Sequence, residues 1–253
     1  MITLITTQLI KSRESLRSLE LFISKNLLES DIITSLHILA EGISDEEARH
    51  LLEKYENLVI KTIQSRPSFG RLIEYVFEHE IRSDFIAFTN ADIYFSAEQN
   101  DIKTLSNLTK KYPQLGFTLT RRDDSNIDRL LSVDYPVPEF LSSDAWIFST
   151  KEFQKKQVNA ADFDSVFLGQ MNLENIVNTC FHTNGFQLCN AANMIKAIHL
   201  DKSSNDYSDF QGQDILTMAS SSQAATVNAY LSNSILPIPS NVRLENFTPS
   251  KYL

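Results

Sequence analysis

Residues 1–96 alternate between short apolar runs and segments with helical spacing. The runs at residues 2–6, 32–39, 58–63 and 85–89 are rich in apolar, β-branched and aromatic residues, and an amphipathic segment separates each from the next. Strands that alternate with helices form βαβ units, and these units build a parallel sheet with helices on its faces. The sequence therefore predicts an α/β fold with a mostly parallel, doubly wound sheet and flanking helices.

The same kind of pattern continues well beyond residue 96 and then stops. Further strands or extended pieces are predicted at residues 115–120, 142–149, 186–191 and 194–199. Residues 171–177 have helical spacing, and from residue 211 the chain becomes polar, rich in Ser and Ala, and interrupted by Pro. We therefore expect one domain over residues 1–210. Residues 211–253 are expected to be a C-terminal extension that packs on the domain or binds a partner.

The composition is that of an ordinary soluble globular protein. The 253 residues are 42% hydrophobic and 22% charged, with a net charge of −9. This acidic balance argues against nucleic acid or an anionic membrane as a partner, because both usually bind a basic patch. No apolar run approaches the roughly 18 residues of a membrane span, and the N-terminus lacks the basic start of a secretory signal. Two cysteines without metal spacing predict reduced thiols and a cytoplasmic protein, leaving open a peripheral contact with the inner membrane through a partner.

An acidic residue follows the predicted strand at residues 85–89. The strand leads into Asn90-Ala-Asp92, and apolar residues resume at once with Ile93-Tyr-Phe95. An acid between two apolar runs is costly to bury unless something pairs with it. Ligands of open α/β sheets bind outside the carboxyl ends of the strands, so Asp92 could hold a divalent cation or a polar ligand. Alternatively, Asn90 and Asp92 only shape a turn.

Three later residues could complete a site with Asp92. Asp144 enters a strongly apolar strand, Glu174 lies on a mostly apolar helical segment, and His199 lies near the end of a late strand. Carboxylates with one imidazole suit Mg²⁺ or Mn²⁺, and a separate carboxylate can deprotonate an attacking hydroxyl. Each also has an ordinary alternative: Asp144 could cap a loop, Glu174 could be a surface residue, and His199 could be a packed histidine.

Several arginines follow predicted strands. Arg66 precedes a helix that is predicted to begin near Pro67 and Ser68, where a guanidinium and a helix N-terminus can hold a phosphate. A solvated surface charge is an equally good interpretation of Arg66. Arg121 and Arg122 lie in a charged segment that we expect to be a mobile surface loop, and this interpretation is preferred to phosphate binding.

Several common catalytic motifs are absent from the sequence. The first strand is not followed by Gly-x-Gly-x-x-Gly, and no Gly-x-x-x-x-Gly-Lys occurs, so dinucleotide and P-loop nucleotide sites lack their loops. No Gly-x-Ser-x-Gly elbow exists, and no Cys/His set has the spacing of a zinc site. Carboxylates and one histidine at loop ends remain as the candidate chemistry.

Four stretches of the chain carry a resemblance to a known family. The first two are Ile2-Thr-Leu-Ile-Thr-Thr7 with Arg13, and Asn90-Ala-Asp-Ile-Tyr-Phe95. The third is Ser143-Asp-Ala-Trp-Ile-Phe148, and the fourth runs from Leu168-Gly169 through Glu174-Asn175 and continues with His199-Leu-Asp-Lys-Ser203 and Tyr207. Taken in order, they resemble a group of bacterial glycosyltransferase-like proteins with the GT-A fold. The second stretch is similar to an Asn-x-Asp-Ile-x-Phe version of their metal-binding Asp-x-Asp motif. The likeness runs from residue 1 to about residue 207.

The resemblance implies a GT-A-like fold and a nucleotide-sugar donor. It implies that the base and ribose of the donor bind near Thr6, Thr7 and Arg66, with Arg13 in the loop after the first strand. Asn90 takes the first position of the Asp-x-Asp motif and is thereby implied in donor binding. The acceptor would be a glycan or lipid-linked glycan, and the reaction would belong to bacterial surface polysaccharide synthesis.

The resemblance also implies the catalytic roles. Asp92 would bind Mn²⁺ or Mg²⁺ at the donor diphosphate, with His199 as a late second ligand. Glu174 would be the catalytic base of an inverting enzyme, and Asp144 would lie on the acceptor side of the catalytic site.

The chain departs from the resembled family at three positions. Asn90 replaces the first acid, Leu173-Glu-Asn175 stands where Cys-Asp-Asn is usual, and His199-Leu-Asp201 replaces His-x-His. Glutamate can transfer the same proton with a longer reach, and Asp201 remains a possible hard ligand. A non-catalytic GT-A-like module that binds sugar or nucleotide is therefore the alternative function. A nucleotidyltransferase is a weaker third hypothesis, because no basic, Gly-rich loop follows the first strand.

Overall fold

The computed structural model describes residues 1–124, 126–130, 143–169, 173–200 and 235–237. The described helices are α1 (Arg13–Leu27), α2 (Asp45–Lys54), α3 (Phe69–Glu78), α4 (Gln99–Lys111), α5 (Thr150–Lys156) and α6 (Leu173–Thr183), with a 3-10 helix at Ala160–Phe163. The described strands are β1 (Ile2–Leu9), β2 (Ile33–Glu41), β3 (Leu58–Ile63), β4 (Phe85–Thr89), β5 (Ile93–Ser96), β6 (Leu115–Leu119), β7 (Arg121–Asp123), β8 (Asn126–Leu130), β9 (Ala145–Ser149), β10 (Gln187–Asn190), β11 (Lys196–His199) and β12 (Ile235–Pro237).

The predicted parallel sheet is confirmed. In the described part of the chain it has the strand order β12-β10-β6-β9-β4-β1-β2-β3. Among these strands β9 alone runs antiparallel, and it lies between β4 and β6. Because β9 is reversed, its first residues lie at the same edge of the sheet as the carboxyl ends of β4 and β6. Segments that leave this edge form a smaller sheet, in the order β5-β11-β7-β8.

Helices cover both faces of the main sheet, as a doubly wound fold requires. Leu4 and Ile5 are consecutive in β1, and their side chains enter two different buried clusters. The cluster around Leu4 contains buried residues of α1, α2 and α4. The cluster around Ile5 contains those of α3, α5 and α6 and is rich in phenylalanine, with Phe69 in contact with several other rings.

Serine side chains cap the first three helices, and the start predicted near Pro67 and Ser68 is confirmed. The hydroxyl of Ser12 caps α1, and Ser44 forms a capping box with Glu47 at the start of α2. Ser68 accepts a hydrogen bond from a backbone N–H in the first turn of α3. These side chains satisfy N–H groups that have no partner within the helix, so each capping serine marks the residue at which its helix begins.

Two local predictions were wrong. The first strand does not end at residue 6, because β1 stays paired with β2 as far as Leu9. Thr7 therefore lies within a strand. Arg121–Asp123 is a strand and not a loop, because it pairs with β11. Arg122 is buried there, and its Nη2 donates a hydrogen bond to the carbonyl of Ala192 at 2.9 Å.

The C-terminal extension is described only at β12, which pairs in parallel with β10. Asp201, Ser203 and Tyr207 lie outside the described residues, so their predicted contributions stay predictions. The predicted domain boundary near residue 210 likewise stays a prediction. In the described part of the chain, no helix combines the length and the apolar character that a membrane crossing requires.

Candidate functional site

Asp92 and His199 meet at the carboxyl edge of the main sheet. Asp92 lies in the turn between β4 and β5, and His199 is the last residue of β11, which pairs antiparallel with β5. Asp92 Oδ2 is 3.3 Å from His199 Nε2, and the Leu200 N–H donates to the Asp92 carbonyl at 2.8 Å. Asp92 is only 5% exposed. The hydrogen bond to Asp92 raises the pKa of His199, against the opposing effect of burial.

The Asp92–His199 pair fits part of a divalent metal site. Cis ligands of an octahedral ion with bonds of about 2.1 Å have donor atoms roughly 3 Å apart, which matches this contact. The Oδ1 of Asn90 is buried and has no hydrogen-bond partner in the described part of the chain, so it could accept from a ligand or a bound water. Among the described residues, no three His, Cys, Asp or Glu side chains are placed to hold a metal ion. Mg²⁺ commonly takes only one or two protein carboxylates, with substrate phosphates and water as its other ligands.

Asp144 lies beside this pair, immediately before β9. Its backbone N–H donates to the Leu119 carbonyl, and its carbonyl accepts from the Thr89 hydroxyl, both at 2.9 Å. These bonds hold Asp144 between the ends of β4 and β6, and its side chain is 7% exposed. Arg121 Nη1 is 3.5 Å from Asp144 Oδ1, while the Arg121 side chain is 38% exposed. Arg121 therefore combines a contact inside the site with access to solvent.

Glu174 completes the cluster from the first turn of α6. The pKa of Glu174 is raised to about 7, first by burial and then by the negative charge of Asp144. The positive charge of Arg121 acts in the opposite direction. A carboxyl group with a pKa near neutrality can take up a proton at physiological pH and release it again, as a general base must.

The sequence interpretation gave Arg121 too little weight. A signal was present, since Arg121 follows the predicted strand at residues 115–120 and ligand sites lie at carboxyl ends of strands. The structure places Asp92, Asp144, Glu174 and His199 at one edge of the sheet, with Arg121 beside Asp144.

The predicted donor-binding residues occupy varied positions. Thr6 is buried, and its hydroxyl donates to the Thr89 carbonyl at 2.7 Å, so it joins the ends of β1 and β4. Thr7 is also buried within β1. Arg13 is exposed at the first position of α1. Arg66 follows β3, donates to the Leu168 carbonyl, and has its guanidinium 5.4 Å from the centre of the Phe167 ring.

Comparison with known proteins identifies a similar fold. No protein-family model matches the chain, and no curated protein sequence matches it. The crystal structure of residues 1–349 of S. aureus TarS, a glycosyltransferase, matches with 8% identity and a TM-score of 0.50, covering 92% of this chain and 79% of that chain.

Two further solved structures also match this chain. A longer TarS structure has 10% identity and a TM-score of 0.47, and the match covers 92% of this chain but only 43% of that one. The 4-diphosphocytidyl-2C-methyl-D-erythritol synthase of Anaerococcus prevotii has 12% identity and a TM-score of 0.45, with 92% of this chain and 96% of that chain covered. The strand order and the match to TarS 1–349 together show that this chain has a GT-A-like α/β fold.

Proposed function

We propose that this chain is a glycosyltransferase that moves a sugar from a nucleotide-sugar donor to a glycan or lipid-linked glycan acceptor, in bacterial surface polysaccharide synthesis. One observation carries the proposal. Two pairs of ionisable side chains, Asp92 with His199 and Asp144 with Glu174, lie together at the carboxyl edge of a GT-A-like sheet. Both cysteines of the chain are free thiols, as is usual for proteins of the reducing cytoplasm, where we propose that the reaction occurs.

Glu174 is the proposed base of the transfer. Its carboxylate takes the proton of the acceptor hydroxyl while that oxygen attacks the anomeric carbon of the donor sugar. The bond from the anomeric carbon to the diphosphate oxygen breaks, and its electron pair leaves with the nucleoside diphosphate. Attack opposite the leaving group inverts the anomeric centre. The pKa of about 7 favours this role, because the carboxylate form is present at neutral pH and still binds the proton strongly.

Asp92 and His199 are the proposed ligands of Mn²⁺ or Mg²⁺. When bound, such an ion supplies positive charge that neutralises the departing diphosphate. Arg121 adds a fixed positive charge next to Asp144, with part of its side chain open to solvent. Asn90 offers the buried Oδ1 acceptor beside this site, which suits a hydroxyl of the donor ribose or a metal-bound water.

The proposed nucleotide subsite lies along the ends of β1 and β3. Thr6, Thr7, Arg13 and Arg66 are its proposed members, on the basis of the resemblance and their position toward the carboxyl ends of parallel strands. Thr6 and Thr7 are buried, so they would contribute by fixing the backbone at this end of β1. The exposed guanidinium of Arg13 is the side chain most open to a phosphate.

A donor screen tests the proposal directly. Thermal shift and slow donor hydrolysis are measured with a panel of nucleotide sugars, with and without Mn²⁺, beginning with UDP-GlcNAc because TarS has been crystallised with it. We expect metal-dependent stabilisation by one donor and its hydrolysis. Asp92→Asn should abolish both, whereas Asp84→Asn, at the other end of the same strand and 71% exposed, should change neither. Absence of binding and hydrolysis across the panel would refute the proposal.

A non-catalytic GT-A-like module is the second candidate. It is favoured by Asn90 in place of an acid and by the lack of a three-residue metal group among the described side chains. This candidate predicts stabilisation by UDP or GDP that is independent of metal, together with no hydrolysis of any donor. The same screen therefore separates the two functions.

A further inference from the structure

A buried hydrogen-bonded bridge joins α6 to the start of β9. The indole Nε1 of Trp146 donates to Asn178 Oδ1 at 2.7 Å, and Asn178 Nδ2 donates to Ser143 Oγ at 3.2 Å. All three side chains are buried, and Asn178 is 2% exposed. The Trp146 ring is held edge-on against Phe69, with 5.5 Å between ring centres. The side-chain amide of Asn178 therefore links α6 to Ser143 and Trp146, at the start of β9.

The bridge lies one helical turn from the catalytic acids. Glu174 precedes Asn178 by four residues, so their side chains lie on the same face of α6. Ser143 is adjacent in sequence to Asp144. The Asn178–Ser143 hydrogen bond therefore lies one residue from Asp144 on one side and one helical turn from Glu174 on the other.

The acid pair does not hold the first turn of α6 in place once both acids are ionised. Two ionised carboxylates repel each other, and burial increases the free energy of that repulsion. The charged groups that act on Glu174 are Asp144, which opposes its ionisation, and Arg121, which favours it. Arg121 is partly solvated and has a long contact with Asp144, so it compensates this repulsion only in part. The neutral bridge at Asn178 supplies hydrogen bonds that do not depend on the ionisation of the acids.

We propose that Asn178 is a positioning residue, whose hydrogen bonds to Ser143 and Trp146 hold Glu174 near Asp144 even when both acids are ionised. The inference rests on the proposed function for the role of Glu174 as the base. The placement of Glu174 by Asn178 can be measured without any substrate.

The decisive measurement is an NMR titration of the Glu174 carboxyl carbon, assigned by its loss in Glu174→Gln. Asn178→Ala removes both hydrogen bonds, and we expect the pKa of Glu174 to fall from about 7 by about one pH unit or more, toward 4.5. Asn178→Asp can still accept from Trp146 and from the Ser143 hydroxyl, and its charge opposes ionisation of Glu174. In that variant the pKa of Glu174 should stay at the parent value or rise.

A matched control separates positioning from general destabilisation. Ile23→Val removes a buried methyl group from α1, in the cluster on the opposite face of the sheet, and should leave the pKa of Glu174 unchanged. If Asn178→Ala does not fold, Ser143→Ala removes one of the two hydrogen bonds and is expected to lower the same pKa by a smaller amount. An unchanged pKa in the folded variant would overturn the proposal.

Turnover gives a second readout if the donor screen succeeds. The acid limb of the pH–rate profile should move to lower pH in Asn178→Ala and stay in place in Ile23→Val. Failure of the proposed function would show instead as no donor binding by the parent protein. The NMR titration would then still decide whether Asn178 positions Glu174.

Discussion

Replacing Glu174 by glutamine should stabilise the protein at high pH. The pKa of Glu174 is raised from 4.5 to about 7, first by burial and then by the charge of Asp144. The folded state therefore holds this proton more tightly than the unfolded chain does, so stability decreases as pH rises from about 4.5 through about 7. The pKa difference is 7 − 4.5, and at about 1.4 kcal/mol per pH unit it corresponds to about 3 kcal/mol.

Glu174→Gln removes this loss because the amide never ionises. Urea unfolding curves at several pH values between 4 and 8.5 should show equal stability of parent and variant near pH 4. By pH 8 the variant should be more stable by about 3 kcal/mol. Activity should be lost at the same time, since an amide cannot accept the proton. Glu53→Gln, at an exposed position on α2, is the control and should follow the parent curve at every pH. Parallel curves for Glu174→Gln and the parent would refute the raised pKa.

Three further predictions concern packing, metal binding and thiol reactivity. Gly116→Ala would place a Cβ in overlap with the ring of Phe148, so urea unfolding should show a loss of about 1–3 kcal/mol. Asn90→Asp adds a charged oxygen ligand beside Asp92, so calorimetry with Mn²⁺ alone should show an Mn²⁺ affinity about tenfold above that of the parent. Asp92→Asn should show no Mn²⁺ binding. Burial raises the pKa of Cys189 to about 12, so its thiol should resist a disulfide reagent at pH 8 until urea unfolds the chain.

Clear outcomes would contradict each of these three. Unchanged stability of Gly116→Ala would mean that β9 and β6 pack less closely than the structure indicates. Equal Mn²⁺ affinity of Asn90→Asp and the parent would show that the side chain at position 90 does not reach the metal, and Mn²⁺ binding by Asp92→Asn would remove the metal role of Asp92. Rapid labelling of Cys189 in the native protein would show that this part of the sheet opens without global unfolding.

Most elements of the first hundred residues could be predicted from local pattern. The strand at residues 85–89 and the strand at residues 58–63 have the predicted bounds, and the helix predicted to begin near Pro67 and Ser68 has Ser68 as its N-cap. Each of these signals lies within a few residues of the element it specifies. Local sequence is sufficient there because capping, turn formation and apolar periodicity are short-range effects.

The later elements depended on partners distant in the chain. Arg121–Asp123 is charged and has no strand pattern, yet it forms a strand because β11 lies beside it. The reversed direction of β9 also has no local signal, because strand direction depends on how the chain returns to the sheet. Predictions from local pattern failed where pairing with a distant segment decided the backbone conformation.

The candidate site shows the same division. The sequence by itself determined an α/β sheet and the acids at its strand ends, because strand periodicity and chain direction bring those ends to one edge. Only the tertiary structure decided that the charge of Asp144 acts on Glu174, that Arg121 lies beside Asp144, and that Asn178 links α6 to β9. Burial and the charges of neighbouring side chains set the proton affinity of a carboxyl group, and both arise only when separate elements pack together.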